Sequence, residues 1–229
     1  MSASRPEIIA VLLAAGKSRR FGGNKQLAEV VSPQGKTSIL ERSLRVLTDS
    51  RADRVWLAYS TDATNRALAL SSSTRARLLP CPSSHLGIGH TIADVAQTLM
   101  EQAPEAHVLL FLADQVAVST QDIDRLLAVA RANPQHIVSA QSKQGLSPPV
   151  VFPTRYLQAL SMLTGDKGAK ALLMKNPNNL MSIRMESAGI DIDTRADLLL
   201  WNLQRQKSDI ALTPTPTKTE KLHDHINHQ

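Results

Sequence analysis

The sequence predicts a single α/β domain of Rossmann-like architecture, a mostly parallel sheet with helices on both faces. Three observations predict it. The runs Glu7 to Ala14 (EIIAVLLA) and His107 to Leu112 (HVLLFL) are apolar almost without a break, as strands buried on both faces must be. Segments of helical period alternate with such runs; His90 to Gln102 sets Ile92, Val95, Ala96 and Leu99 on one face. No linker or internal repeat interrupts the alternation, so residues 5–207 read as one domain with one core.

The other elements follow in order. Ser38 to Asp49 is a helix with Leu40, Leu44 and Leu47 inward. Arg54 to Ser60 is a second strand, Asp62 to Leu70 a second helix and Arg77 to Cys81 a short third strand. Beyond the His107 strand, Ser119 or Thr120 caps a helix whose buried stripe is Ile123, Leu126, Leu127 and Ala130. Strands are expected at Ile137 to Ala140, Val150 to Phe152, Met181 to Met185 and Ile190 to Asp193. Helices are expected at Thr154 to Leu163, Lys167 to Lys175 and Thr194 to Gln206. Residues 208–229, with TPTPTKTEKLHDHINHQ, carry too little apolar surface to offset their ordering entropy and read as a disordered tail. His223, His225 and His228 with Asp224 are metal-ligating types, but a disordered end gives them no defined site.

Composition excludes several classes of function. Aromatics are 3% of the 229 residues, too few for a base-stacking nucleic-acid surface. No run of 18 apolar residues exists, so no membrane span is expected. Cys81 is the single cysteine, which rules out an internal disulfide and a zinc site of paired cysteines; between Pro80 and Pro82 it reads as an inert thiol. With no signal peptide in MSASRPEIIAV, a cytoplasmic setting is expected. The formal charge of +6 suits an anionic partner without naming a reaction.

The chemistry concentrates after the first strand, in VLLAAGKSRRFGGNKQL (Val11 to Leu27), where four cations fall within nine positions among Gly and Ser. Neither common nucleotide loop fits. The Walker pattern needs a second Gly where Phe21 stands, and the dinucleotide fingerprint needs one two residues after Gly16. What remains is a strand ending in Ala-Ala-Gly, followed by Lys and Arg. Small residues let a ligand approach the backbone, Arg20 can fork two phosphate oxygens, and Lys25 offers a point charge. Taken alone, a solvated basic loop fits as well.

The spacing L-A-A-G-x-S-x-R-x-G-x-x-K, here Leu13 to Lys25, resembles the signature of the MobA-like and MocA-like nucleoside-triphosphate transferases, the molybdenum cofactor guanylyl- and cytidylyltransferases. Phe21 stands where Met is usual. Gly87-Ile88-Gly89-His90-Thr91-Ile92, Leu112-Ala113-Asp114-Gln115, Leu163-Thr164-Gly165-Asp166-Lys167-Gly168 and Asp191-Ile192-Asp193-Thr194 resemble further blocks of that family. Ala-Ala-Gly looks like its cytidylyl branch, and Asn24 before Lys25 disfavours the branches that carry Pro-Lys. Ser147-Pro148-Pro149 lacks the His that the family often has before this strand. The resemblance implies a nucleotide-diphospho-sugar transferase type of fold and transfer of CMP from CTP to a molybdopterin phosphate, with release of pyrophosphate. The acceptor path would end in an apo molybdenum hydroxylase or its chaperone. The alternatives are GTP or a sugar phosphate as substrate, or a cofactor chaperone without turnover.

Residue roles follow from charge and position. Bringing an attacking phosphate to an α-phosphorus calls for charge neutralisation, for which Mg2+ held by carboxylates is suited. Asp114 ends the most apolar strand, at the carboxyl edge of the sheet where open α/β folds bind ligands. Asp191 and Asp193 would share one face of a strand and join it as metal ligands. Arg20 and Lys25 are the candidate catalytic cations with Asp114. Leu13, Ala14, Ala15, Gly16, Ser18, Gly87 and Gly89 are candidate nucleotide contacts. Asp166 reads as a helix N-cap, which with Lys167 and Gly168 would present free N–H groups to the second substrate's anion.

Overall fold

The computed structural model describes residues 5–16, 18–32, 35–61 and 75–212. Its centre is a seven-stranded sheet of β1 (Ile8–Leu13), β4 (Arg54–Tyr59), β5 (Arg77–Pro80), β6 (His107–Leu112), β7 (Ile137–Ser142), β8 (Gly145–Phe152) and β9 (Leu180–Arg184). Their order is β5-β4-β1-β6-β8-β7-β9, and β2 (Glu29–Ser32) with β3 (Gly35–Ser38) forms a separate hairpin. β1 pairs in parallel with β4 and β6, as β7 does with β9, while β8 runs against β6 and β7. The helices are α1 (Ile39–Thr48), α2 (Ile88–Gln102), α3 (Thr120–Ala132), α4 (Leu157–Ser161), α5 (Lys170–Lys175) and α6 (Arg195–Leu212).

The apolar runs are continuous because both faces of the sheet are covered. Along β1, Ile8, Ala10 and Leu12 pack with Leu44 and Leu47 of α1 and Ile123 and Leu127 of α3. Ile9, Val11 and Leu13 pack with Val95 and Leu99 of α2 and with Leu157 and Leu160 of α4. Helix starts obey local chemistry: Ser38 Oγ accepts from Glu41 N (3.1 Å), and Ser119 forms a capping box with Asp122. Cys81 is fully buried, and desolvation and then Asp94 push its thiol up to about 12, so it is inert.

The structure corrects several expectations. Ile190 to Asp193 is not a strand: the segment passes beyond the end of β6, where Ile192 N donates to Asp114 O (3.1 Å). β8 begins at Gly145, not Val150, because Pro148 and Pro149 sit where its register with β7 shifts, and β6 pairs β8 only from Val150 onward. No ladder bond is needed from either proline there. The helix expected from Thr154 is a 3-10 turn, Thr154–Tyr156, followed by α4, and the one expected from Lys167 starts at Lys170. α6 runs to Leu212, five residues into the expected tail; Ser208 to Leu212 contains no Pro or Gly, and the first proline is Pro214. The helix expected at Asp62 to Leu70 and the tail histidines lie outside the described residues. No described helix is long and apolar enough to cross a membrane.

One topological fact positions the site. The chain leaves β1 for β4 on one side, whereas β6 flanks β1 on the other. Connections leaving the carboxyl ends of β1 and β6 therefore diverge and open a crevice between them.

Candidate active site

That crevice is a cleft of about 690 Å³. Its first wall is the segment after β1. Ala14 N donates to Ala58 O (2.9 Å), and Gln26 Nε2 donates to Ala14 O, which returns the loop to the strand it left. Between them lie two 3-10 turns, Arg19–Phe21 and Lys25–Leu27. Ser18 (φ 50°) and Asn24 (φ 51°) begin these turns in left-handed backbone, each at a cost of about 1 kcal/mol.

A small apolar cluster holds this strained loop against the acidic side of the cleft. Phe21, Val116 and Ile192 are buried together with Val30, Ile39 and Trp201. Each stands one or two residues from a charged group: Phe21 beside Arg20, Val116 after Asp114, Ile192 between Asp191 and Asp193. Full burial of such side chains stabilises by about 1.5–3 kcal/mol each, so packing fixes where the charges sit. Helix α6 closes the cluster, with Trp201 Nε1 donating to Val31 O (3.1 Å) and Thr194 and Asp197 capping its start.

The charges meet at the carboxyl ends of β1 and β6. Lys25 Nζ lies 2.6 Å from Asp114 Oδ2 and 3.5 Å from Asp193 Oδ1, while Arg20 NH1 donates to Asp193 Oδ2 at 2.9 Å. The Lys25 side chain is only 12% exposed, whereas that of Arg20 is 78% exposed. Lys25 is thus a largely desolvated cation that needs its carboxylates, and Arg20 a solvated one. Desolvation and then repulsion from Asp114 and Asp193 push Asp191 up to about 6, against the pull of Lys25. Asp191 keeps a solvent-exposed surface, so the like charges are the more telling cause.

Among the described residues no three His, Cys, Asp or Glu side chains form a preassembled metal site. Asp114 Oδ1 is nonetheless buried without a hydrogen-bond partner, and Asp114 and Asp193 approach each other across one ammonium. A hard divalent cation that arrives with a triphosphate takes one or two carboxylates and completes its shell with phosphate oxygens and water. This donor set fits such a cation.

The opposite wall is built by close backbone approach. Gly89 N donates to Gly165 O (2.8 Å), and Gly165 N donates to His90 Nδ1 (3.1 Å). A Cβ on Gly89 would lie 2.6 Å from Thr164 O, and one on Gly87 (φ 121°) 2.5 Å from Asp166 Oδ1. These glycines let the Thr164–Asp166 turn lie against the start of α2, bringing Asp166 to the cleft.

Most of the expected residues converge here. Leu13, Ala15, Gly16, Ser18, Arg20, Lys25, Gly87, Asp114, Asp166 and Asp193 line the cleft. Ala14, Gly89, Asp191, Lys167 and Gly168 do not; Ala14 and Gly89 act behind it through backbone bonds. Asp166 is not an N-cap, because α5 starts at Lys170 behind Ala169 and makes no side-chain cap. Asp166 stands instead as an exposed carboxylate at the cleft. Sequence reasoning gave no role to Gln26, nor to Gln115 within its family block. Gln115 is fully buried and donates from Nε2 to Pro148 O (2.6 Å) and Ala188 O (2.8 Å), tying the residue after Asp114 to both flanking segments. Its signal was an amide next to Asp114 in an otherwise apolar stretch.

The profile of the "MobA-like NTP transferase domain" matches residues 10–180. The chain belongs to that family. It is a nucleotidyltransferase, and its mostly parallel sheet with helices is the fold of solved nucleotidyl transferases. Purine catabolism protein PucB of Bacillus subtilis is 29% identical, over 73% of this chain and 81% of that protein. Rv0371c of Mycobacterium tuberculosis superposes with a TM-score of 0.65 at 25% identity, over 83% of this chain and 95% of that one; a complex of Rv0371c with manganese is also solved. A nucleotidyl transferase from Methanothermobacter shares the fold with a TM-score of 0.70 at 16% identity, covering 88% of this chain and 99% of that one.

Proposed function

We propose that the protein transfers CMP from CTP to the phosphate of a molybdopterin, with release of pyrophosphate, in the maturation of molybdenum hydroxylases. The observation that carries the reading is the set Lys25, Arg20, Asp114 and Asp193 at the crevice between β1 and β6. It pairs two phosphate-binding cations with two carboxylates suited to a metal, as transfer between anions requires. Cytidine as the base is supported by the Ala14-Ala15-Gly16 turn, which resembles the cytidylyl branch.

In this reading an oxygen of the acceptor phosphate attacks the α-phosphorus of CTP, and the bond to the β-phosphate breaks as pyrophosphate leaves. The attacking phosphate is already ionised at neutral pH, so neither a general base nor a covalent intermediate is needed. Lys25 and Arg20 bind and orient the triphosphate. Gly16 and Ser18 let it approach the backbone, and Leu13 and Ala15 form the apolar floor beside it. Asp114 and Asp193 would hold Mg2+, which would supply neutralisation of the phosphate charge. Asp191 adjusts the negative potential at the rim from outside the cleft. Asp166 accepts from N–H or O–H donors of a substrate rather than binding its anion. The finished product would pass to an apo molybdenum hydroxylase or its chaperone.

The test is pyrophosphate release with each of the four nucleoside triphosphates, with and without molybdopterin. Release with CTP that depends on molybdopterin and Mg2+ is expected. Release with GTP instead would move the enzyme to the guanylyl branch, and release without molybdopterin but with a sugar phosphate would remove the acceptor assigned here.

A further inference from the structure

We infer that Lys25 occupies the place of the divalent cation in the free protein, so that metal and nucleotide are taken up by an exchange of partners. The inference deepens the metal-and-triphosphate reading above and rests on it. Lys25 Nζ sits between two carboxylates, 2.6 Å from Asp114 and 3.5 Å from Asp193, in a largely desolvated position. The second oxygen of Asp193 is taken by Arg20 at 2.9 Å. Two cations and two anions therefore satisfy one another before any ligand arrives.

Neither ligand can enter alone without leaving charge uncompensated. If Lys25 turned to a triphosphate by itself, Asp114 would face that polyanion with no counter-charge and Asp193 with Arg20 alone, and Asp114 Oδ1 already lacks a partner. A divalent cation added beside Lys25 and Arg20 would place four positive charges around the same two carboxylates. Lys25 and Arg20 can move to the phosphates only as Asp114 and Asp193 gain another counter-ion. The two binding events are then positively linked, each strengthening the other. A lysine suits the moving position, since its compact ammonium rides on a flexible four-carbon stem, unlike the planar guanidinium of Arg20.

The test titrates Mn2+ alone into the intact protein and follows free Mn2+ by electron paramagnetic resonance. Lys25→Met, which keeps the apolar stem, is expected to bind Mn2+ about ten-fold more tightly than wild type or better, since it lacks the competing charge. Adding Asp114→Asn to it should return the affinity to the wild-type value or below. Affinity in Lys25→Met no tighter than wild type would overturn the exchange. A second measurement uses CTP in the presence of a chelator: Asp193→Asn should bind it about five-fold more tightly than wild type, because Arg20 and Lys25 lose a competitor. Unchanged affinity there would equally overturn it. The Mn2+ titration contains no nucleotide, so a wild-type protein that fails to bind Mg2+ with CTP would remove the proposed function while the lysine–metal competition stood.

Discussion

The two walls of the cleft solve different problems with different means. The wall after β1 presents charge: Arg20 and Lys25 project from a loop whose turns begin in left-handed backbone at Ser18 and Asn24, with Phe21 buried to hold it. The wall at α2 presents shape: Gly87 and Gly89 let the Thr164–Asp166 turn approach closer than any side chain would allow. The first wall spends backbone strain to place side chains, and the second uses missing side chains to place backbone. Substitutions should therefore act on chemistry at one wall and on assembly at the other.

The largest effect is expected at the Lys25–Asp114 pair in the cleft. Lys25→Ala and Asp114→Ala should each lower turnover by about 10³-fold, with the fold retained as judged by circular dichroism. Near-normal turnover in either would break the division of labour. Next comes Gly89→Ala: its Cβ would meet the Thr164 carbonyl, so the turn must shift, at about 1–3 kcal/mol measured by urea unfolding. KM should rise more than kcat falls, because the wall moves and the charges do not. Ser18→Gly should do the opposite to stability, raising it by up to about 1 kcal/mol, since glycine adopts φ 50° without strain. Its turnover should fall as the loop loses definition, separating strain from function.

The smallest effect is a pH dependence at Asp191. Its folded-state value of about 6 lies above the ordinary 3.8, so the folded protein binds that proton more tightly than the unfolded chain does. The contribution to stability is greatest below pH about 4 and is lost as pH rises through about 6. Asp191→Asn should therefore melt higher than wild type at pH 7, with the difference vanishing toward pH 4. The group is solvent-exposed, which keeps the shift in melting temperature small.

The charged wall was legible in the sequence and the shaped wall was not. Continuous apolar runs mark strands buried on both faces, so β1 and β6 follow from pattern, and the family spacing after β1 singles out Lys25 as position at the end of β6 does Asp114. Asp193 was found as a residue but for a strand that does not form, since Ile192 is drawn inward by Phe21 and Val116 and not by a neighbouring strand. Gly87 and Gly89 looked like ligand contacts; their conformational demand comes from Gly165, seventy-six residues beyond Gly89, at a contact no local pattern encodes. The hairpin β2–β3 went unread because its two four-residue strands become stable only against Trp201 and Asn202 of α6. The tethering role of Gln115 was hidden for the same reason, as its partners Pro148 and Ala188 come from distant segments.

The function proposed for this cleft moves a nucleotidyl group and not a terminal phosphoryl group. Incubation with molybdopterin and Mg2+ using CTP labelled separately at the α- and γ-phosphates tests it most directly. The expected result is α-label in the pterin product and γ-label in pyrophosphate, with both transfers lost in Lys25→Ala. Label from the γ-position in the pterin, or α-label transferred undiminished by Lys25→Ala, would contradict it.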